Sequence, residues 1–143
     1  MEHHTILRVI TKLLVPFIML FALYVQFHGD YGPGGGFQAG VIFGAAFILH
    51  GLLFGVHSVQ RVAPPGVVRA LTACGVLLYA GVGVVTLLLG GNFLDYNVLS
   101  ADPVAGQHLG ILVIELGVGI TVASTMILLF YAFGLSDDEA GQQ

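Results

Sequence analysis

Charge is what this chain has least of. Only 8% of its 143 residues are Asp, Glu, Lys or Arg, against roughly a quarter in an average soluble protein. A small water-soluble fold leaves much of its surface wet and must cover it with polar side chains. Eight acidic and four basic residues are too few for that. Tryptophan is absent and cysteine occurs once, as Cys74. A single thiol excludes an internal disulfide framework and any cysteine-cluster metal site, and inside an apolar run it reads as a small packing residue. The basic residues are scattered and the net charge is −4, which excludes a nucleic-acid footprint. Without tryptophan, an aromatic belt at the membrane surfaces would fall to the tyrosines Tyr24, Tyr31, Tyr79, Tyr96 and Tyr131.

What the chain has is hydrocarbon: 57% hydrophobic residues and a mean hydropathy of +0.95. A spanning helix needs about 20 mostly apolar residues, and four segments supply them, at about 6–27, 37–57, 67–89 and 109–134. The expected fold is therefore an all-α integral membrane protein with four transmembrane helices, one membrane domain over 1–143, and a polar acidic tail at 136–143. No small-x-small cleavage site follows the first span, so it reads as a helix that stays. Pro64-Pro65 stops the second helix. Asp102-Pro103 reads as an N-cap and first helical position, which starts the fourth helix before it enters lipid. Arg8 and Lys12 flank the first span, Arg61 and Arg69 the loop between the second and third, and the other two loops hold no Lys or Arg. That distribution puts the N and C termini and the middle loop in the cytoplasm.

Glycine marks the packing faces. Gly40 and Gly44, then Gly51 and Gly55, fall on one side of the second helix, and Gly119 pairs with Ala123 on the fourth. Small-xxx-small faces let helices approach closely in lipid. The partner is either another helix of this chain or another subunit.

Among ionisable residues, Glu115 stands out. It lies about 9 Å inside the outer end of the fourth span by helix rise, where an uncompensated carboxylate costs several kcal/mol. Two readings stand: a proton or cation relay, or a packing residue hydrogen-bonded to a neighbouring helix. His50, about 20 Å along the second helix, shares a stripe with Ala39, Phe43, Ala46 and His57. It is either a second relay candidate or a histidine satisfied by a neighbouring acceptor. His50, His57 and His108 lie at different depths, which excludes a bis-histidine haem, and His3-His4 is too little for a metal. No cofactor or metal is expected.

The strongest local pattern is the segment from His28 to Gly40, HGDYGPGGGFQAG. Three glycines before a helix leave backbone N–H groups free at its positive end. Such a turn can attract an anion or let another backbone come close. No Gly-Lys-Ser/Thr follows, so it is not a Walker loop.

With Pro33-Gly34-Gly35-Gly36-Phe37 between the first two of four spans, followed by Gln38-Ala39-Gly40, the chain resembles the MnhB family, small subunits of the Mrp-type multisubunit sodium/proton antiporters. The resemblance covers essentially the whole length. One position departs from it: many relatives carry Gly-His-x-x-Pro, where this chain has Gly29-Asp30-Tyr31-Gly32-Pro33. The resemblance makes Asp30 and Pro33 to Phe37 the motif loop. It implies a non-catalytic subunit of a complex that exchanges Na+ for H+ using the proton-motive force and serves pH homeostasis. That complex would lie in a bacterial or archaeal cell membrane, with other Mrp subunits as partners. Related subunits occur in membrane-bound hydrogenases, so a membrane-arm subunit of a redox complex is the alternative. Small four-helix drug exporters share the span count but carry their essential glutamate in the first span, where this chain has none.

Overall fold

The computed structural model describes residues 2–29 and 34–140, with side chains for 5–29 and 34–134. Among these residues every regular element is helical: α1 Glu2–His28, α2 Gly36–Phe54, α3 Val56–Val62, α4 Pro65–Leu88 and α5 Pro103–Ala140, with a 3-10 turn at Tyr96–Leu99. Four stretches are long and apolar enough to cross a bilayer: Thr5–His28, Gly36–Phe54, Pro65–Leu88 and Pro103–Gly134. The all-helical, four-span expectation is met.

The helices stand in a curved row, α1–α2–α5–α4. Each packs on its neighbours, and the two end helices, α1 and α4, do not pack on each other. The curvature still brings Ala22 and Leu23 of α1 and Val68 and Leu71 of α4 around one cavity of about 240 Å³. α1 shows the inversion that lipid imposes. Thr11, Ala22 and Gln26, on one stripe, are buried, whereas Leu13, Phe17, Leu20, Phe21 and Phe27 are more than half exposed. Apolar side chains face outward, and the polar ones find the protein.

Between apolar helices in lipid there is little hydrophobic drive, so contact must come from van der Waals packing. The glycines provide it. A Cβ at Gly40 would stand 2.7 Å from the Gly119 carbonyl oxygen, one at Gly44 3.0 Å from Met126 Cβ, and one at Gly51 would run into the Phe130 ring. The glycine face of α2 is therefore taken up by α5 of the same chain. On the other side of α5, a Cβ at Gly117 would lie 2.9 Å from the Gly75 carbonyl oxygen, and one at Gly75 would strike the Thr121 hydroxyl.

One boundary differs from expectation, and one helix runs on past its span. The second helix ends at Phe54, because Gly55 takes φ 86° and ψ 153° while its N–H donates to Gly51 O at 2.8 Å. Glycine reaches positive φ at no steric cost. Gly55 is thus a joint, and no atom of the described residues lies within 4 Å of a Cβ there. His57 falls on α3, off the helix that carries His50. At the other end, α5 runs on to Ala140, so most of the 136–143 tail continues the helix, and 141–143 lie outside the described residues.

The short α3 is anchored by Val59, which joins Val68, Ile127 and Tyr131 in a buried cluster. The Tyr131 hydroxyl donates to Ala63 O at 2.8 Å, just before the proline pair that opens α4. Asp102 caps α5 as its sequence suggests, accepting from Val104 N–H at 3.1 Å. Thr86, fully buried, pins the loop after α4 by accepting from Leu94 N–H at 2.9 Å.

The α4–α5 crossing gives a paired prediction. Gly75→Val should destabilise the detergent-solubilised chain by about 2 kcal/mol through overpacking. Gly81→Ala, where an added carbon meets nothing within 4 Å, should leave stability unchanged or raise it by about 0.5 kcal/mol. Denaturant unfolding followed by circular dichroism would compare the two.

Candidate functional site

The carboxyl group of Glu115 and the glycine turn, separate candidates in the sequence, form one place in the structure. The turn leaves α1 at Gly29. Residues 30–33, with Asp30 and Pro33 of the motif loop, lie outside the described residues, and the chain returns at Gly34. It closes on itself: a Cβ at Gly34 would stand 2.9 Å from Val25 O and 3.4 Å from Gly29 Cα. Gly35, at φ 131° and ψ 175°, caps α2, its carbonyl accepting from Ala39 N–H at 3.0 Å. That conformation belongs almost wholly to glycine.

Glu115, half-buried on α5, fills the space that side chains in this turn would need. Its Oε2 and Oε1 lie 2.7 and 3.1 Å from the Cβ position of Gly29, and Oε1 lies 3.1 Å from that of Gly35. The next residue, Gly36, meets the Glu115 backbone carbonyl at the place where a side chain would begin. The turn therefore admits both a carboxyl group and a backbone.

The electrostatics agree with the placement. α2 has no acidic residue in its first turn and no side-chain cap at Gly35. The opening N–H groups of a helix carry partial positive charge and want an acceptor. The carboxyl group brought there by α5 places acceptor oxygens beside this end. Gln38 adds its Oε1 at 3.4 Å from the Cβ position of Gly35. Phe37, by contrast, is 61% exposed and turns away from the site.

One residue of the site is not among those expected from the sequence. Gln26, buried on α1, places its Oε1 2.6 Å from the Cβ position of Gly119, beside the Gly36 carbonyl. Gln26 thus meets α5 one turn below Glu115. Being unable to ionise, it does not stand out as Glu115 does. The available signal was a lone amide on the same stripe as Thr11 and Ala22 in an otherwise apolar span.

His50 lies elsewhere. It is one turn from the end of α2, about 20 Å from Gly36 along the helix. Its Nε2 sits 3.1 Å from Ser58 Oγ, and its ring stacks on Phe54 at 4.6 Å. Arg8 and Lys12 lie over the same Phe54 ring, at 5.1 and 5.3 Å. Between His50 and Glu115 lies the cavity, whose lining is apolar apart from Gln26 and Ser124, and the Ser124 hydroxyl donates to Ile120 O at 2.6 Å. His57, exposed, pairs with Gln60 at 3.3 Å. Among the described residues no three His, Cys, Asp or Glu side chains converge as metal ligands.

The segment holding this site is also where known proteins agree with the chain. The family described as "Domain related to MnhB subunit of Na+/H+ antiporter" matches residues 6–128. The chain belongs to the MnhB family. It is 34% identical over 134 residues to the "Putative antiporter subunit mnhB2" of Staphylococcus haemolyticus strain JCSC1435, covering 92% of this chain and 94% of that protein. Its namesake in Staphylococcus aureus strain Newman is 36% identical over 129 residues, covering 88% and 91%. Gly29, Gly34 to Gly36 and Glu115 all fall inside the matched MnhB region. With four apolar spans and bacterial relatives along almost its full length, this MnhB chain is a multi-pass cell-membrane protein and a transporter component.

The contact between the turn and α5 can be measured as a coupling. Gly29→Ala places a methyl group against the Glu115 carboxylate and should destabilise the chain. In a Glu115→Ala background much of that cost should vanish. The double-mutant cycle should return a coupling of about 1 kcal/mol or more, and additive effects would show the contact to be energetically idle.

Proposed function

We propose that this chain is a non-catalytic subunit of a hetero-oligomeric antiporter that exchanges Na+ for H+ across a bacterial or archaeal cell membrane, driven by the proton-motive force. The observation that carries the reading is the seating of the chain's one mid-span carboxylate against the glycine turn, within a region matched by the MnhB family throughout. The relatives' name as antiporter subunits supports this reading over a redox-driven complex.

In this reading Glu115 takes part in ion movement, and Gln26, Gly29 and Gly34 to Gly36 hold it in place. His50, engaged with Ser58 and separated from Glu115 by the apolar cavity, does not continue the route inside this subunit. Companion subunits supply the rest. Both termini face the cytoplasm, which sets the 29–36 turn and Glu115 toward the outer surface. The α2 glycine face is occupied within the chain, so companions dock on the lipid-facing sides of the row, where α1 and α4 display their apolar residues.

Two measurements test it. A tagged chain purified from its own membranes should bring down further antiporter subunits, and recovery of a hydrogenase-like peripheral arm instead would transfer the chain to the redox class. Glu115→Gln, which keeps the side chain's size, should lower sodium efflux severalfold in vesicles while the complex stays whole on native gels. Normal efflux in that variant would remove Glu115 from the ion route.

A further inference from the structure

We propose that the groove between α1 and α4 holds an acyl chain of an anionic phospholipid whose phosphate lies at Arg8 and Lys12. The two helices end the row without packing on each other, yet both line the same 240 Å³ cavity. Leu23, Leu71 and Leu116 of its wall are 46%, 44% and 39% exposed, so the cavity opens sideways into the bilayer. A void there would forfeit the dispersion contacts of its lining.

The occupant follows from size and charge. A helix with its side chains is about 10 Å across, and two turns of one would need several times this volume. A hydrocarbon chain is thin enough, and the lining offers it apolar contact with only Gln26 and Ser124 as exceptions.

The charge lies at one end of the same stripe. Arg8, Lys12, Val15, Met19, Ala22 and Gln26 succeed one another at steps of four and three residues, which is a single helix face. Lys12 precedes Ala22 by ten residues, about 15 Å of helix, which is half of a hydrocarbon core of about 30 Å. A phosphate at Lys12 therefore sits at the membrane surface while its acyl chain ends in the cavity. Arg8 and Lys12 converge on the Phe54 ring, and among the described residues neither is paired with a carboxylate. Two gathered cations beside an apolar groove suit an anionic headgroup.

The lipid-retention test needs only the full-length chain and is independent of the antiporter reading. Purified in mild detergent and examined by native mass spectrometry, the chain should retain a phospholipid, predominantly of an anionic class. The Arg8→Gln/Lys12→Gln double variant should retain at least tenfold less of it. Leu71→Trp, which fills the groove from the α4 wall, should expel lipid of every class, whereas Leu77→Trp on the exposed side of α4 should change nothing. Retention untouched by Leu71→Trp, or equal retention of anionic and zwitterionic lipid, would overturn the proposal. So would disulfide capture of a companion protein through Leu71→Cys in a Cys74→Ser background, since a protein would then occupy the groove.

Discussion

The backbone of α5 lies directly against the backbones of α2 and α4, and the rest of the structure depends on that closeness. Helices in lipid gain little from burying hydrocarbon against hydrocarbon. They gain from shape, and two chains fit most closely where neither carries a Cβ. Gly40 meets Gly119 on one side of α5, and Gly75 meets Gly117 on the other. This makes α5 the middle of the row, with α1 attached by way of α2. The same approach fixes the site, because Gly36 rests on the Glu115 carbonyl and the attached carboxyl group then has only the turn to occupy.

A carboxyl group within a membrane span is expensive unless something polar receives it. In this chain no lysine or arginine does so, since Arg8 and Lys12 are gathered on Phe54 near the far end of α2. The carboxyl group lies instead against the glycine turn, beside a helix beginning that lacks a side-chain cap of its own. Glycine in the turn and glutamate in α5 therefore answer one another, the first leaving a space and the second filling it. Gln26 extends the polar environment by one turn, and beyond it the cavity lining becomes apolar.

Most of the architecture was legible because lipid writes it in composition. Span number and the Asp102 cap each rest on a local rule, and each is found in place. The Pro64-Pro65 pair, expected to stop the second helix, instead follows α3 and opens α4, because Gly55 has already ended α2. Gly55 has a role that its spacing does not show. Its spacing continues the series Gly40, Gly44, Gly51, and spacing alone does not distinguish a glycine that admits a neighbour from one that bends the chain. The apolar part of α5 ends at Gly134 as expected, and the helix itself runs on to Ala140, because polarity at 136–140 signals departure from lipid, which is not the same as departure from helix. At the site, Glu115 and the turn were each visible, but their union was not. They are far apart in sequence, and only the depth at which α5 crosses α2 brings them level. Gln26 was passed over because an amide titrates nowhere, although in hydrocarbon it also demands a partner.

The distance along the chain between the turn and Glu115 has a bearing on biosynthesis. The α1–α2 hairpin leaves the ribosome well before α5 is made, so the pocket for the carboxylate exists before its occupant. Until α5 arrives, the start of α2 remains uncapped and the glycine face of α2 is uncovered. Because α5 follows α1, α2 and α4 in the chain, it is inserted after the helices it packs against and closes the row, and nascent chains that stop short of it would present membrane quality control with an open seam.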